Sequence, residues 1–500
     1  MVFNSLQFMF FLPLVVAAYY IFPDKIKHIL LLLCSYYFYM CWNAVYALLM
    51  LFSTVVTYLC GLGLAFLQTE DNSEKGPGNC FLQKAVLCAS LTINLAILFF
   101  FKYFDFAIDS INLLLIHIGF QLNHPSFDIL LPVGISFYTF QALGYTIDIY
   151  RRDIYAERNF FRYALFVSFF PQLVAGPIER SKNLLKQLAT PQKFHYDNLK
   201  EGFLLMLWGF FLKIVLADRL AVFVDTVYGP SYADYGGLIV IIATIFFAFQ
   251  IYCDFGGYSI IAMGAAKMLG IQLMENFNTP YLSPNTAEFW RRWHISLSSW
   301  FRDYVYIPLG GNRKGTVRKY FNLLVTFGIS GLWHGANWTF VLWGLINGIY
   351  QILGSITKPM RKKALQIFGL NPASLGHKVL CIFITFVMID ISWVFFRAQN
   401  VSAAFYMLQS MLYIRPEVLF NNSLYSFGLG KPDFTLILIC LSVLFLSDIL
   451  KNRGVCLSKL IMQQDAWCRA LIITFSVSFI LLFGIWGNAY DAASFIYFQF

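Results

Sequence analysis

The sequence predicts an all-α polytopic membrane protein, and three observations carry that prediction. Of 500 residues, 59% are hydrophobic and only 12% are charged, with a mean hydropathy of +0.64. Soluble chains carry roughly 25% charged residues. Apolar runs long enough to cross a bilayer recur along the whole chain. The charges, 36 Lys and Arg against 26 Asp and Glu, gather between those runs. Such a chain cannot cover a surface of this size for water, which excludes soluble enzymes and nucleic-acid binders. Its net charge of +10 reads as loop lysines and arginines facing the cytoplasm and anionic lipid.

The first run, ending at Phe22, lacks a positive n-region and a small-residue cleavage site. It reads as an uncleaved span, not a signal peptide. Lys25 and Lys27 follow it and place the N-terminus outside. Further runs of spanning length fall near 28–42, 44–67, 85–101, 160–178, 202–224, 236–253, 378–396, 432–450 and 469–488. Less regular apolar stretches lie at 105–120, 131–148, 255–273, 320–354 and 401–414. About 11–13 membrane-embedded helices are expected. Polar loops lie near 68–84, 121–130, 179–200 and 415–431. No linker or repeat is visible, so one membrane domain over 1–500 is expected. The ten cysteines include no CxxC pair and read as small core residues, with no disulfide framework and no metal site.

Two regions interrupt the helical pattern. Residues 131–180 contain LPVGISFYTFQALGY and FFPQLVAGPIER, and residues 252–281 contain YCDFGGYSIIAMGAAKMLGIQLMENFNTPY. Pro and Gly at that density free backbone groups that lipid cannot satisfy, so such segments are expected inside protein or around a wet cavity. Residues 285–307 interleave Trp290, Trp293, Trp300 and Phe301 with Arg291, Arg292, His294 and Arg302. The segment is too charged to span and reads as an amphipathic interfacial helix.

Of seven histidines, His28, His117, His124, His195 and His377 lie at membrane edges, in an apolar helix or in polar loops, with no recognisable partner. His334 has the most apolar setting, within YFNLLVTFGISGLWHGANWTFVLWGLINGIY. Basic clusters flank it, Arg313, Lys314, Arg318 and Lys319 before, and Lys358, Arg361, Lys362 and Lys363 after. Both clusters belong to the cytoplasm. Two full spans need about 40 residues, so the chain must enter and return as a tight or broken hairpin. Gly331 and Gly335 bracket its midpoint. Ionisable groups at that depth mark pathways or reactive centres. A neutral imidazole there suits a general base that takes a hydroxyl proton. A buried histidine bonded to a backbone carbonyl is the structural alternative.

YCDFGGYS (252–259), ENFNTPY (275–281), FWRRWHISLSSWFRDYVYIPLGG (289–311) and GLWHGANW (331–338) resemble the membrane-bound O-acyltransferase family, in its bacterial polysaccharide branch. FKYFDF (101–106), PVGISFYTFQALGYTIDIYR (132–151) and FFPQLVAGPIER (169–180) are similar to the same family, in the same order. The resemblance implies a helical basket around a central funnel, with re-entrant and interfacial helices. It implies His334 as the essential histidine and His294 as a second, more variable polar position.

It further implies transfer of an acetyl group from a cytoplasmic thioester, acetyl-CoA or an acyl carrier, to a hydroxyl outside. The route is expected to run through an extracytoplasmic SGNH-type acyltransferase partner, with polysaccharide as final acceptor. Trp290, Trp293, Arg302, Trp333 and Asn337 are the expected substrate-binding residues; Trp333 and Trp338 would keep the pocket dry, and Asn337 or freed backbone N–H groups would hold the oxyanion. Arg291, Arg292, Arg302 and Arg313 are expected to meet donor phosphates, or else lipid phosphates. No cofactor is expected to be permanently bound. The location implied is a bacterial cytoplasmic membrane. One departure is Ile260-Ile261, where relatives carry an acidic residue.

Two other classes stay open. A D-alanyl, lipid or protein acyltransferase of the same family differs only in what it carries or accepts. A transporter or flippase would show repeated halves and paired midplane acids; Asp105, Asp109, Asp148, Asp254 and Asp390 form no evident set.

Overall fold

The computed structural model describes residues 1–71, 78–120, 131–486 and 496. Most of the polar stretch 68–84, and all of 121–130 with His124, therefore lie outside the described residues. Those described form helices and no strands. The first half contains α1 (Leu6–Ile21), α2 (Lys27–Met40), α3 (Ala44–Asp71), α4 (Gly78–Leu98), α5 (Phe104–Ile116), α6 (Ile135–Tyr150), α7 (Phe160–Ser168), α8 (Phe170–Leu173), α9 (Ser181–Ala189), α10 (Tyr196–Phe210), α11 (Asp218–Val227) and α12 (Gly237–Met268). The second contains α13 (Thr286–Arg292), α14 (Ile295–Phe301), α15 (Gly315–His334), α16 (Trp338–Ile367), α17 (Leu375–Arg397), α18 (Val401–Ser410), α19 (Lys431–Asn452), α20 (Leu457–Met462) and α21 (Ala466–Phe483). Wide π turns at Phe99–Tyr103, Phe211–Ala217 and Arg302–Tyr306 interrupt the α pattern.

Among the described residues, seven helical stretches are long and apolar enough to cross a membrane: Ala44–Thr69, Cys80–Ile116, Gly237–Met268, Trp338–Ile367, Leu375–Arg397, Lys431–Asn452 and Ala466–Phe483. Their outer faces carry bare hydrophobic side chains, among them Leu114, Phe383, Leu438 and Phe475. In water these would form large apolar patches; in lipid they are the ordinary exterior. The protein is thus an all-α, multi-pass membrane protein. Other apolar runs fold into shorter helices, such as α1 with 16 residues.

The chain divides into two compact units. One comprises Met1–Met206 and Ile261–Met274, the other Leu207–Ile260 and Glu275–Phe500. In the first, α6 is buried at every position from Ile135 to Ile149 except Ile147. Its polar groups are satisfied inside the protein: Gln141 Nε2 donates to the Phe166 carbonyl at 2.6 Å. Tyr163 Oη likewise donates to Thr57 Oγ1 at 2.7 Å. Buried Glu179, in the loop after α8, accepts from the Met274 backbone and from Asn183 Nδ2. The Pro/Gly-rich segment therefore lies inside protein, as bilayer chemistry requires.

In the expected interrupted segment 252–281, α12 runs unbroken through Gly256-Gly257 and ends at Met268, so the interruption lies in the second half of the segment. Gly257 instead allows close packing on α10, where an added Cβ would sit 2.8 Å from the Gly209 carbonyl. The expected hairpin is present. α15 and α16 pack antiparallel, and three glycines set their spacing. A Cβ on Gly331 would lie 2.2 Å from the Phe340 carbonyl, and one on Gly344 2.2 Å from that of Phe327. A Cβ on Gly335 would enter the Phe340 ring.

Candidate active site

His334 is the last residue of α15 and is 4% exposed. The chain reverses through Gly335-Ala336-Asn337. Asn337 Oδ1 accepts from the Thr339 backbone N–H at 3.0 Å, capping α16, and Nδ2 donates to the Gln399 carbonyl at 3.2 Å. Capping is what an Asn at this position does best. Asn337 therefore shapes the turn that presents His334, and both ends of its side-chain amide serve that role.

Three rings meet the His334 imidazole nearly edge to face. Trp333 lies at 5.0 Å between centroids (84°), Trp343 at 5.1 Å (89°) and Phe396 at 5.4 Å (69°). Trp343 in turn stacks on Trp393 at 5.5 Å and touches Trp290 at 5.6 Å. The result is an apolar enclosure that fixes the ring and keeps water from it.

His294 arrives by a different route. The expected interfacial helix over 285–307 is two seven-residue helices, α13 and α14, broken at Trp293-His294. It is buried, not laid on a surface: Phe289, Trp293, His294, Leu297 and Phe301 are each at most 3% exposed. Its aromatic spacing serves a protein core instead of a headgroup layer. His294 adopts a left-handed backbone, φ 42° and ψ 55°. That conformation costs an L-residue roughly 1–3 kcal/mol and persists only where surroundings impose it.

The segment 276–278 imposes it. The Ile295 N–H donates to the Asn276 carbonyl at 2.9 Å, and the Asn278 N–H to the Arg292 carbonyl at 2.9 Å. Asn276 also accepts from Ser296 Oγ at 2.6 Å and donates to Ser259 Oγ at 3.0 Å. One buried asparagine thus ties three of the sequence motifs together. Held this way, the His294 ring packs on Phe255 at 4.7 Å and lies 6.2 Å from the His334 ring, centroid to centroid. His294 lies outside the membrane-crossing helices, and burial keeps its imidazole well below the usual histidine range, hence neutral.

The remaining expected residues separate into two groups. Trp293 is buried against Trp393 at 5.1 Å, and Trp290 donates through Nε1 to Asn347 Oδ1 at 3.3 Å. Both belong to the aromatic shell around the two histidines. Arg292 is occupied by Glu288 at 3.0 Å, Thr279 at 3.1 Å and Asn452 at 2.8 Å. Arg291, Arg302 and Arg313 are exposed, and Arg302 pairs with Asp303 at 2.8 Å. Trp338 is exposed.

Residues 156–386 match the family described as MBOAT, membrane-bound O-acyltransferase. Both histidines lie within that segment. The chain is 36% identical to a probable alginate O-acetylase of Pseudomonas putida, over the full length of both proteins. It is 39% identical to the Pseudomonas aeruginosa protein of the same description, over 82% of this chain and 75% of that one. A peptidoglycan O-acetyltransferase of Helicobacter pylori is 31% identical over 100% of this chain and 98% of the other.

The chain belongs to the membrane-bound O-acyltransferase family. It is an O-acyltransferase, which sets aside the transporter reading. Sequence reasoning did not single out Asn276, Phe255, Trp343 or Phe396 in this enzyme. ENFNTPY contained the asparagine, YCDFGGYS contained Phe255, and Trp343 lies nine residues after His334; Phe396 is brought in only by the fold.

Proposed function

We propose that this O-acyltransferase moves an acetyl group from a cytoplasmic thioester, acetyl-CoA or an acyl-carrier thioester, to a hydroxyl delivered from outside. One observation carries the reading: two buried histidines stand 6.2 Å apart in an aromatic enclosure at the reversal of a membrane hairpin. One hydroxyl oxygen fits within hydrogen-bonding reach of both rings at that separation. His334 takes the hydroxyl proton as the oxygen attacks the thioester carbonyl. The tetrahedral oxyanion collapses, the C–S bond breaks, and the thiolate leaves with the proton from the imidazolium. His294 positions the hydroxyl.

The indole N–H of Trp343 supports the same chemistry. Nε1 is buried and makes no hydrogen bond among the described residues, beside a ring that would hold the base. An unmet buried donor costs about 1–3 kcal/mol, a cost that a developing oxyanion would relieve. Trp343→Phe keeps the aromatic packing and removes the donor. It is expected to lower turnover by about 10²-fold with little change in thermal stability, measured on purified protein. Unchanged turnover excludes this role.

A bacterial cytoplasmic membrane is the location the similar bacterial proteins favour, and the basic segments around residues 25–27, 313–319 and 358–363 favour an outside N-terminus. The start of α15 and the end of α16 lie at the same end of the hairpin, consistent with that orientation. Single cysteines at Ile26, Thr316 and Met360, in a cysteine-free background, are expected to resist impermeant thiol reagents in intact cells. Labelling of one hairpin position with protection of the other contradicts the orientation.

The similar proteins carry alginate and peptidoglycan O-acetylation in their names, which favours polysaccharide as the final acceptor. A polymer does not thread readily into an enclosure walled by Trp333, Trp343 and Phe396. A single serine of an extracytoplasmic SGNH-type partner fits it better. The test is reconstitution in liposomes with acetyl-CoA on the cytoplasmic side. The relay requires a partner serine acetylated only when His334 is intact. Polymer acetylated at full rate by this chain alone would show that the acceptor reaches His334 directly.

A further inference from the structure

We propose that a cavity in the first compact unit binds a phosphate-bearing ligand between Lys25, Lys27 and Arg162. The cavity measures about 310 Å³, and its lining holds those three cations, His28 and Gln187 with a single carboxylate, Asp24. Its cations are held in place. The Lys27 side chain is only 9% exposed; Nζ donates to Asp24 Oδ1 at 2.7 Å and the Gln192 carbonyl at 3.2 Å, and lies 5.1 Å from the Tyr19 ring centre. Arg162 is anchored through Nη1 to both Glu157 oxygens, at 3.2 and 3.4 Å. Its Nε is buried and makes no hydrogen bond among the described residues. Even with Glu157 counted alongside Asp24, positive charge remains in excess.

A guanidinium fixed by Glu157 whose side chain is still 27% exposed, beside two ammonium groups, is the chemistry that holds a phosphate. The backbone adds to it. α2 starts at Lys27 with no side-chain cap, so the first-turn N–H groups of a 14-residue helix lie at the cavity edge, where they favour an anion.

Two sources could supply that phosphate, an anionic phospholipid headgroup or the nucleotide phosphates of a coenzyme A donor. The bare face of α1 favours the lipid. α1 leaves Leu6, Phe10, Leu14 and Ile21 bare, an apolar face that ends three residues before Asp24 and would lie along the acyl chains. The headgroup would then sit at the level of Lys25, where anionic lipid attracts lysine. This inference is independent of the acyl-transfer chemistry; only its coenzyme arm touches the donor reading.

The test uses full-length protein in phosphatidylcholine nanodiscs, with and without phosphatidylglycerol. Retained lipid is read by mass spectrometry, and coenzyme A is titrated separately into the phosphatidylcholine sample. Wild type is expected to retain phosphatidylglycerol selectively. Lys25→Ala, an exposed change that leaves the fold intact, and Arg162→Gln should each weaken retention roughly tenfold. If coenzyme A binds instead, with the same loss in both variants, the phosphate site stands and its ligand is the donor. Binding of neither probe, or binding indifferent to both variants, overturns the proposal. Coenzyme A binding that ignores both variants overturns this cavity and leaves the donor reading intact. Variant-sensitive lipid retention without any acetyl transfer from acetyl-CoA keeps the cavity and removes that reading.

Discussion

His334→Ala is expected to lower O-acyl transfer by about 10²–10⁴-fold, the range of a general base, while the protein stays inserted and folded. The imidazole is 4% exposed among Trp333, Trp343 and Phe396, and the His294 ring lies 6.2 Å away between centroids. His334→Gln preserves more of the shape and should fall as far, which separates lost chemistry from lost packing. His294→Ala should cost less, because positioning is its role. Labelled acetyl transfer by the purified variants, each checked for monodispersity, reads all three. Near-normal turnover in His334→Gln removes the mechanism.

The largest expected effect on stability lies elsewhere in the same unit. Lys213, in the π turn after α10, is buried between two carboxylates, with Nζ 2.7 Å from Asp218 Oδ1 and 2.6 Å from Asp254 Oδ1. Asp254 also accepts from the Ile496 N–H at 3.0 Å. Breaking a buried ion pair by removing one partner typically costs roughly 3–5 kcal/mol, because the other charge is left uncompensated. Lys213→Met is expected to lower expression and thermal stability by that order. It should also reduce activity, because Asp254 adjoins Phe255, the residue against His294. Combining it with Asp218→Asn and Asp254→Asn should recover most of the stability, measured as the midpoint of heat-induced aggregation. A single variant as stable as wild type would show that the three charges do not support the fold.

The hairpin was legible because two simple signals agree. Basic clusters fix both its ends on one side, and glycines mark the places where α15 and α16 touch. Depth singled out His334 as a candidate, and the family resemblance implied its role. The setting of His294 was not legible. A helix with tryptophans on one face and arginines on the other has the same periodicity whether it lies on a membrane or inside an aromatic core. The left-handed turn at His294 left no sign either, because glycine, the residue that usually marks such a turn, is absent there. Its cause is a pair of backbone hydrogen bonds to 276–278, which no spacing within 285–307 encodes.

Lys213 was hidden for a related reason. Read as a regular helix, residues 202–224 make it one charge in an apolar run. It is buried between Asp218 and Asp254 on a π turn. The arginines divide in the fold. Their clustering pointed to phosphate binding, yet Arg292 has three partners inside the protein, while Arg291, Arg302 and Arg313 stay exposed. Type and spacing locate a cation in the chain but not the groups that claim it.

The most direct test places purified protein in liposomes with acetyl-labelled acetyl-CoA on the cytoplasmic side and a soluble hydroxyl acceptor inside, and follows free thiol and labelled ester together. One thiol is expected to be released for each ester formed, with both lost in His334→Gln and both slowed in Trp343→Phe. Label that crosses still joined to its donor, or ester that forms equally well without His334, would contradict the mechanism.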